Sequence, residues 1–458
     1  MPSDGRRLLL ITYHFPPDGS VGGLRWAGIT KYLARLGWTV SVVTAAPPVG
    51  SDAADSAHVE RCPRLWTFND YYRLLRRRNQ RSRRSFPDAS SVPRSSKPPG
   101  LLRHLRAEVA ALLALPDESR GWMFRAALRT RSLLRRLQPQ VLVSSGPPHS
   151  AHLVARLATI GSAVPWFIDL RDPWAVPVTK FCESHAVYRT RSAHAIIPRL
   201  ERLVFRGAHG VIVNTPALAR ALAASYPDLA VACVPNGVDP DCLPAPAPNH
   251  YSGLGIAHAG TLYGTRDLGP VLRALRIFLE RHPEAGQAGS KLRLAGHADA
   301  SRARAFQEEV ASLGLEQYVE VLGLLPRAQA LNMVSRSRLV IVLAQQQDLM
   351  IPAKLYESVA IGIPVLVVAE AGSAAGVEGN RLGAIVRDPA DVEGIAGVLE
   401  GLWRDDSRER RPCPVPITYE AIAPLVDTLL RRKWGSGPAP SGRAVDPCGV
   451  LESATAGH

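Results

Sequence analysis

Leu8-Leu-Leu-Ile-Thr12 runs into Tyr13-His-Phe-Pro-Pro-Asp-Gly-Ser-Val-Gly-Gly-Leu-Arg25, and Ile29, Tyr32, Leu33 and Leu36 follow. A short apolar run, a turn rich in Pro and Gly, and apolar residues at i, i+3, i+4 and i+7 predict strand, loop and helix. Gly22 and Gly23 let backbone approach a ligand at a helix N-terminus, where free N–H groups and the helix dipole favour an anion. A plain tight turn explains the pair equally well. The spacing is not G-x-G-x-x-G, and the next strand ends Val43-Thr-Ala-Ala-Pro47 without an immediate ribose-binding acid. Both points disfavour a dinucleotide oxidoreductase.

The same alternation continues through the chain. Strands are expected at Leu8–Thr12, Thr39–Thr44, Val141–Ser145, Trp166–Asp169, Val211–Asn214 and Val231–Val234. A second series covers Ile256–Ala259, Leu292–Ala295, Val319–Leu322, Leu339–Leu343, Pro364–Val368 and Ala384–Val386. Helical patterns lie between them, so each series suits one doubly wound α/β domain. The chain has 458 residues, too many for one core. We expect an N-terminal domain over 1–240, the Pro-rich linker Val238–Asn249, a C-terminal domain over 250–410, a helix within 415–433 and a disordered tail over 434–458.

Apolar residues make up 46% and charged residues 21%, which excludes a wholly disordered or collagenous chain. No apolar run reaches the roughly 18–20 residues of a membrane-spanning helix. Residues 1–13 read as a strand and not as a signal peptide, so a cytoplasmic chain is expected. Six scattered cysteines without C-x-x-C indicate neither a zinc site nor a disulfide framework. The net charge is +15, and +10 of it falls between Arg73 and Arg106. This basic insertion, about residues 70–106, holds the run Arg73–Arg84 and a basic amphipathic helix over Leu101–Leu115. A solvated insertion and an anionic membrane surface are the two leading readings. Nucleic acid is disfavoured, because no aromatic ladder or recognition module accompanies the arginines.

Several motifs in order carry a resemblance. They are Thr12-Tyr-His-Phe-Pro-Pro-Asp with Gly22-Gly23, Ser144-Ser-Gly-Pro-Pro-His-Ser-Ala-His152, and Pro165-Trp-Phe-Ile-Asp-Leu-Arg-Asp-Pro-Trp174. Val234-Pro-Asn-Gly-Val-Asp239, Ala259-Gly-Thr-Leu-Tyr-Gly264 and Ile351-Pro-Ala-Lys-Leu-Tyr-Glu-Ser-Val-Ala-Ile-Gly-Ile-Pro-Val365 follow. Over roughly residues 8–430, outside the insertion, the chain resembles the family 4 retaining glycosyltransferases. That implies a GT-B fold: two Rossmann-like parallel-sheet domains facing a cleft, the first on the acceptor side and the second holding a nucleotide-diphosphate sugar. It also implies that the last helix packs back across the domains.

Pro352 suits a helix start, and Lys354 and Glu357 then share one face. Lys354 and the helix end suit a diphosphate, while Glu357 suits a ribose diol. Taken alone, the pair reads better as a surface ion pair; Gly362-Ile-Pro364 and the other motifs turn the reading to donor binding. The resemblance adds Arg266 as a second phosphate-binding cation, and Gly296 with the Leu324–Arg327 turn around the base. The family's Glu-x7-Glu has its second glutamate at Glu357, but Leu349 stands at the first.

A leaving nucleoside diphosphate develops negative charge, which Lys354, Arg266 and helix amides stabilise without a metal. Asp239-Pro-Asp241 lies in the linker, so no metal site and no cofactor are expected. Asp172 is the candidate to orient or deprotonate an acceptor hydroxyl, with Arg171 beside it. An Arg171–Asp172 pair that only anchors its loop is the alternative, and His149 and His152 read as structural. The expected activity is a hexosyl-type transfer with retention to a polysaccharide-precursor or lipid-linked acceptor, at the cytoplasmic membrane face. A noncatalytic GT-B scaffold and a GT-B nucleotide-sugar epimerase are the competing readings.

Overall fold

The computed structural model describes residues 6–18, 21–46, 58–67, 70, 101–175, 190–245, 247, 250–262, 264–298, 300–405, 413–415 and 417–432. The Arg73–Arg84 run and the tail over 434–458 lie outside them. The first series of elements is β1 (Arg6–Thr12), α1 (Val21–Arg35), β2 (Trp38–Ala45), β3 (Val59–Cys62), α2 (Leu101–Ala114), α3 (Met123–Leu137), β4 (Val141–Gly146), α4 (Ser150–Ala158), β5 (Trp166–Leu170), α5 (Arg191–Phe205), β6 (Gly210–Val213), α6 (Pro216–Ser225) and β7 (Val231–Cys233). The second is β8 (Gly255–Ala259), α7 (Gly269–Arg281), α8 (Pro283–Gln287), β9 (Lys291–Ala295), α9 (Ala300–Ser312), β10 (Val319–Gly323), α10 (Arg327–Ser335), β11 (Leu339–Leu343), α11 (Ala353–Ile361), β12 (Val365–Val368), α12 (Ala374–Arg381), β13 (Ile385–Arg387), α13 (Val392–Arg404) and α14 (Tyr419–Arg431).

The strands form two sheets, ordered β3-β2-β1-β4-β5-β6-β7 and β10-β9-β8-β11-β12-β13. The fold is therefore two doubly wound α/β sheets. In the first, β1 runs parallel to both neighbours, with Leu8 opposite Val40 and Val141. In the second, all five strand pairings are parallel. Helices cover both faces of such sheets, so central strands are apolar throughout. Every residue of β4, β5, β11 and β12 is accordingly buried. The edge strand β3, Val-Glu-Arg-Cys, lacks such a run and escaped the sequence reading. Its Glu60 instead accepts from Arg129 of α3 at 2.7 Å.

Strand order reverses between β1 and β4, and again between β8 and β11. Ligands bind at such switch points, beyond the carboxyl ends of the strands. Each candidate site residue lies on a loop or helix that follows the carboxyl end of a strand: Gly22 and Gly23 after β1, Arg171 and Asp172 after β5, Arg266 after β8, Gly296 after β9, Lys354 and Glu357 after β11.

By contacts the chain splits into two units. One holds Met1–Gly23, Gly37–Val178 and Cys182–Ile212; the other holds Leu24–Leu36, Thr179–Phe181 and Val213–His458. Helix α1 explains the interleaving. Its buried Arg25 donates to the carbonyls of Val234 (2.8 Å) and Pro235 (2.7 Å) and to Asn236 Oδ1 (3.1 Å). Lys31 Nζ donates to Asp239 (2.8 Å) and Asp241 (2.5 Å), and these bonds raise its pKa. Helix α14 closes the same unit: Val238 N–H donates to Ile417 O and Tyr419 N–H to Val238 O, both at 2.8 Å.

A Cβ at Gly28 on α1 would collide with the Tyr419 ring. Gly28→Ala should therefore cost about 1–3 kcal/mol by overpacking, read as a lower urea midpoint at constant m. Adding Tyr419→Ala should make the two effects non-additive, since the clash then disappears. Strict additivity would refute this packing of α14 on α1.

Candidate active site

In the second unit, β11 leads through a loop to α11. Pro352 caps that helix, and Gly362 ends it in the left-handed region at φ 83°. Lys354 in the first turn is partly buried. Burial pushes its pKa down, Glu357 opposes that, and the Arg327 and Arg266 guanidiniums add to it. Lys354 thus has two guanidiniums and one carboxylate close enough to act on it at a helix N-terminus, an arrangement that favours an anion.

Glu357 is placed differently from the simplest reading of its sequence neighbours. Its Oε1 accepts from Arg327 Nη1 of α10 at 2.6 Å. A carboxylate has about four acceptor positions, so the pair leaves room for further hydrogen bonds. The expected Leu324–Arg327 turn does lie here, but Arg327's role as partner to Glu357 went unread, because the two are 30 residues apart.

Gly260, Gly296 and Gly323 tie together the ends of β8, β9 and β10. Gly260 N–H donates to Ala295 O, and Gly296 N–H to Gly323 O, both at 2.8 Å. A Cβ on Gly296 would collide with the Gly260 carbonyl, so only glycine allows this approach. Arg266 sits on the following loop, whose carbonyls at Gly264 and Arg266 accept from Arg302. Thr265 Oγ1 donates to Gln345 O at 2.7 Å, joining this loop to the segment before α11.

His258 on β8 lies beneath the site and was not singled out from sequence. Its signal is a lone polar residue within Ile256-Ala-His-Ala259. Its Nδ1 donates to Ile341 O at 3.0 Å, and its buried Nε2 has no partner among the described residues. Burial pushes its pKa down to about 4; the Ile341 carbonyl opposes this, while Lys354 and Arg266 reinforce it.

In the first unit, a Cβ on Gly22 would meet Arg171 Nη1 at 3.0 Å, and one on Gly23 would meet the His14–Phe15 backbone at 3.1 Å. The start of α1 thus packs closely on Arg171 and on the loop after β1. Arg171 Nε donates to Gly146 O at 3.2 Å, and its Nη2 donates to Pro147 O. Asp172 is partly buried beside it. Asp169 is fully buried and accepts from Ser145 Oγ at 2.7 Å. His149 stacks on Trp174 at 4.8 Å, and His152 Nδ1 meets Ser144 Oγ at 2.9 Å. Burial holds His149 well below its ordinary pKa, and holds His152 at about 3. Both histidines are neutral interior groups. The structure thus gathers Gly22, Gly23 and Arg171 in the first unit, and Lys354, Glu357, Arg266 and Gly296 in the second.

These buried histidines set a pH dependence. Each has a folded pKa below its unfolded value near 6.5, so the unfolded chain binds more protons as pH falls. Stability should be intact above about 6.5 and decline toward pH 4. For His258 alone the loss is on the order of 3 kcal/mol, at about 1.4 kcal/mol per pKa unit. His258→Gln should flatten the slope of urea stability over that window. An unchanged slope would show that His258 titrates normally.

Residues 22–237 match the Glycosyl transferase 4-like domain, and residues 260–405 match Glycosyl transferases group 1. No curated protein matches the chain in sequence. Among solved structures, sucrose-phosphate synthase from Thermosynechococcus elongatus aligns at TM-score 0.59 and 14% identity, over 93% of this chain and 98% of its own. The Anabaena protein HepE, in complex with UDP and glucose, aligns at 0.56 and 15%, over 93% and 99%. A putative UDP-N-acetylglucosamine 2-epimerase from Listeria monocytogenes aligns at 0.54 and 13%, over 96% and 100%. At such identities these likenesses establish the fold. With two glycosyltransferase domains matched in order on two doubly wound sheets, the chain belongs to the group 1, family 4-like glycosyltransferases of GT-B fold.

Proposed function

We propose that the protein transfers a sugar, with retention, from a nucleoside-diphosphate sugar to a polysaccharide-precursor or lipid-linked acceptor, without a metal or other cofactor. The observation that carries the donor reading is Lys354 at the start of α11, with Arg266, Arg327 and Glu357 all acting on it and Arg327 paired to Glu357. Uridine is the first base to test, because the similar Anabaena protein holds UDP and glucose.

In this reading the bond from the sugar's anomeric carbon to the diphosphate oxygen breaks, and the electron pair stays with the diphosphate. Lys354, Arg266 and the first amides of α11 stabilise that growing charge. The acceptor oxygen then bonds to the same face of the anomeric carbon, and its proton passes to the departing phosphate oxygen. On the acceptor side, Asp172 orients the hydroxyl, and Arg171 holds the Gly146–Pro147 turn and the start of α1 in place. Burial keeps His149 and His152 neutral, so they shape this side without adding charge. An anionic membrane surface at the cytoplasmic face would present a lipid-linked acceptor.

The test is donor titration with steady-state transfer across a panel of nucleotide sugars, with membrane extract as acceptor. Lys354→Ala should weaken donor binding by about 2–3 kcal/mol, roughly 30- to 150-fold. It should also lower kcat, since the phosphate gains charge as the bond breaks. Glu357→Gln should act more on affinity, because a ribose diol does not change charge during transfer. Both substitutions keep good helix formers, and circular dichroism controls for folding. Wild-type binding and transfer in both folded variants would overturn the donor site.

A further inference from the structure

Helix α3 turns Ala126, Ala127, Thr130, Leu133 and Leu134 inward. Its outward stripe is Phe124, Leu128, Arg131 and Arg135, at spacings of four, three and four. Phe124 is 72% exposed and Leu128 71%. Leu128, Arg131, Ser132, Arg135 and Arg136 line a groove of ≈ 410 Å³ on this face.

Further exposed apolar side chains lie near that stripe. At the N-terminal end, Leu65 N–H donates to Gly121 O at 3.0 Å, three residues before Phe124. That contact brings up Trp66, which is 60% exposed. At the other end, Arg131 Nη1 donates to Ile160 O at 2.9 Å, and the Ile160 side chain is 52% exposed. Leu65 and Trp66 thus neighbour the start of α3, and Ile160 neighbours Arg131.

The charge on the outer face of α3 is positive. Helix α3 carries Arg125, Arg129, Arg131, Arg135 and Arg136 and no acid. Glu60 pairs with Arg129 at 2.7 Å and with Arg136 at 3.3 Å, and is the acid these ion pairs show on the face. The chain also runs from here into the arginine-rich insertion. Asp70, held by Arg64 at 2.7 Å and by Thr67, follows Trp66 closely and precedes seven arginines between Arg73 and Arg84.

We propose that this outer face of α3, with the Leu65–Trp66 loop, docks on an anionic phospholipid bilayer. Guanidiniums meet lipid phosphates, and Phe124, Leu128 and the amphipathic Trp66 enter the headgroup boundary. Exposed apolar side chains inside a cationic rim suit a bilayer better than a nucleic acid, which offers no apolar layer. The proposal deepens the lipid-linked acceptor reading and rests on it for its purpose; its chemistry stands on the face itself.

The test is co-sedimentation of the full chain with vesicles free of sugar acceptor. The vesicles are phosphatidylcholine alone, or phosphatidylcholine with about a third phosphatidylglycerol. Donor binding in solution is measured alongside, so loss of docking and loss of the transferase reading separate. Wild type should sediment with the anionic vesicles only, and less so at high salt. Arg135→Glu changes two charges and should lower partitioning roughly 25-fold, at about fivefold per charge. Phe124→Ser with Leu128→Ser should lower it at least tenfold, also in a chain lacking residues 73–100. Donor affinity should stay unchanged throughout. Equal binding to neutral vesicles, or wild-type binding by both variants, would overturn the proposal. So would a deletion of 73–100 that abolishes binding while the serine variant does not affect it. A dimer dissolved by the serine variant, or RNA held more tightly than anionic vesicles, would overturn it in favour of those partners.

Discussion

Gly296 lies so close to the Gly260 carbonyl that no side chain fits between them. This contact draws together the ends of β8, β9 and β10, and the hydrogen bonds Gly260–Ala295 and Gly296–Gly323 hold it. The Arg266 loop rises from that knot. Its carbonyls are gripped by Arg302, and Thr265 ties it to the segment leading into α11. Arg266 is therefore mounted on crossed backbone, where a small shift of one loop displaces its neighbours.

Burial first, and then the Arg327 and Arg266 guanidiniums, lower the pKa of Lys354. Glu357 offsets part of that effect. Such local conflict is common at functional sites. His258 beneath the site stays neutral and adds no fourth cation. The first unit follows another rule. His149 and His152 are buried and uncharged, while Arg171 spends hydrogen bonds on backbone carbonyls, so its interior is shaped more by packing than by charge.

Much of the fold was legible in the sequence because parallel strands covered on both faces need continuous apolar runs. The expected strands at Leu8–Thr12, Val141–Ser145 and Leu339–Leu343 lie on β1, β4 and β11 for that reason. The helix boundaries at Gly22-Gly23, which open α1, and at Gly362, which ends α11, are local features as well. Strand β3 was not legible, since an edge strand needs no two-sided apolar pattern, and Glu60 finds its partner only when α3 packs beside it.

Of the site, the sequence by itself determined what one helix turn controls: Lys354 and Glu357 three residues apart behind Pro352. Tertiary structure decided the rest. Arg327 reaches Glu357 across 30 residues, and His258 reaches Ile341 across 83. The requirement for glycine at 296 arises only where two loops cross. Sequence spacing predicts contacts along one helix or strand, whereas these depend on the order in which parallel strands are laid side by side. That order is set by burial of whole sheet faces, and no single motif encodes it.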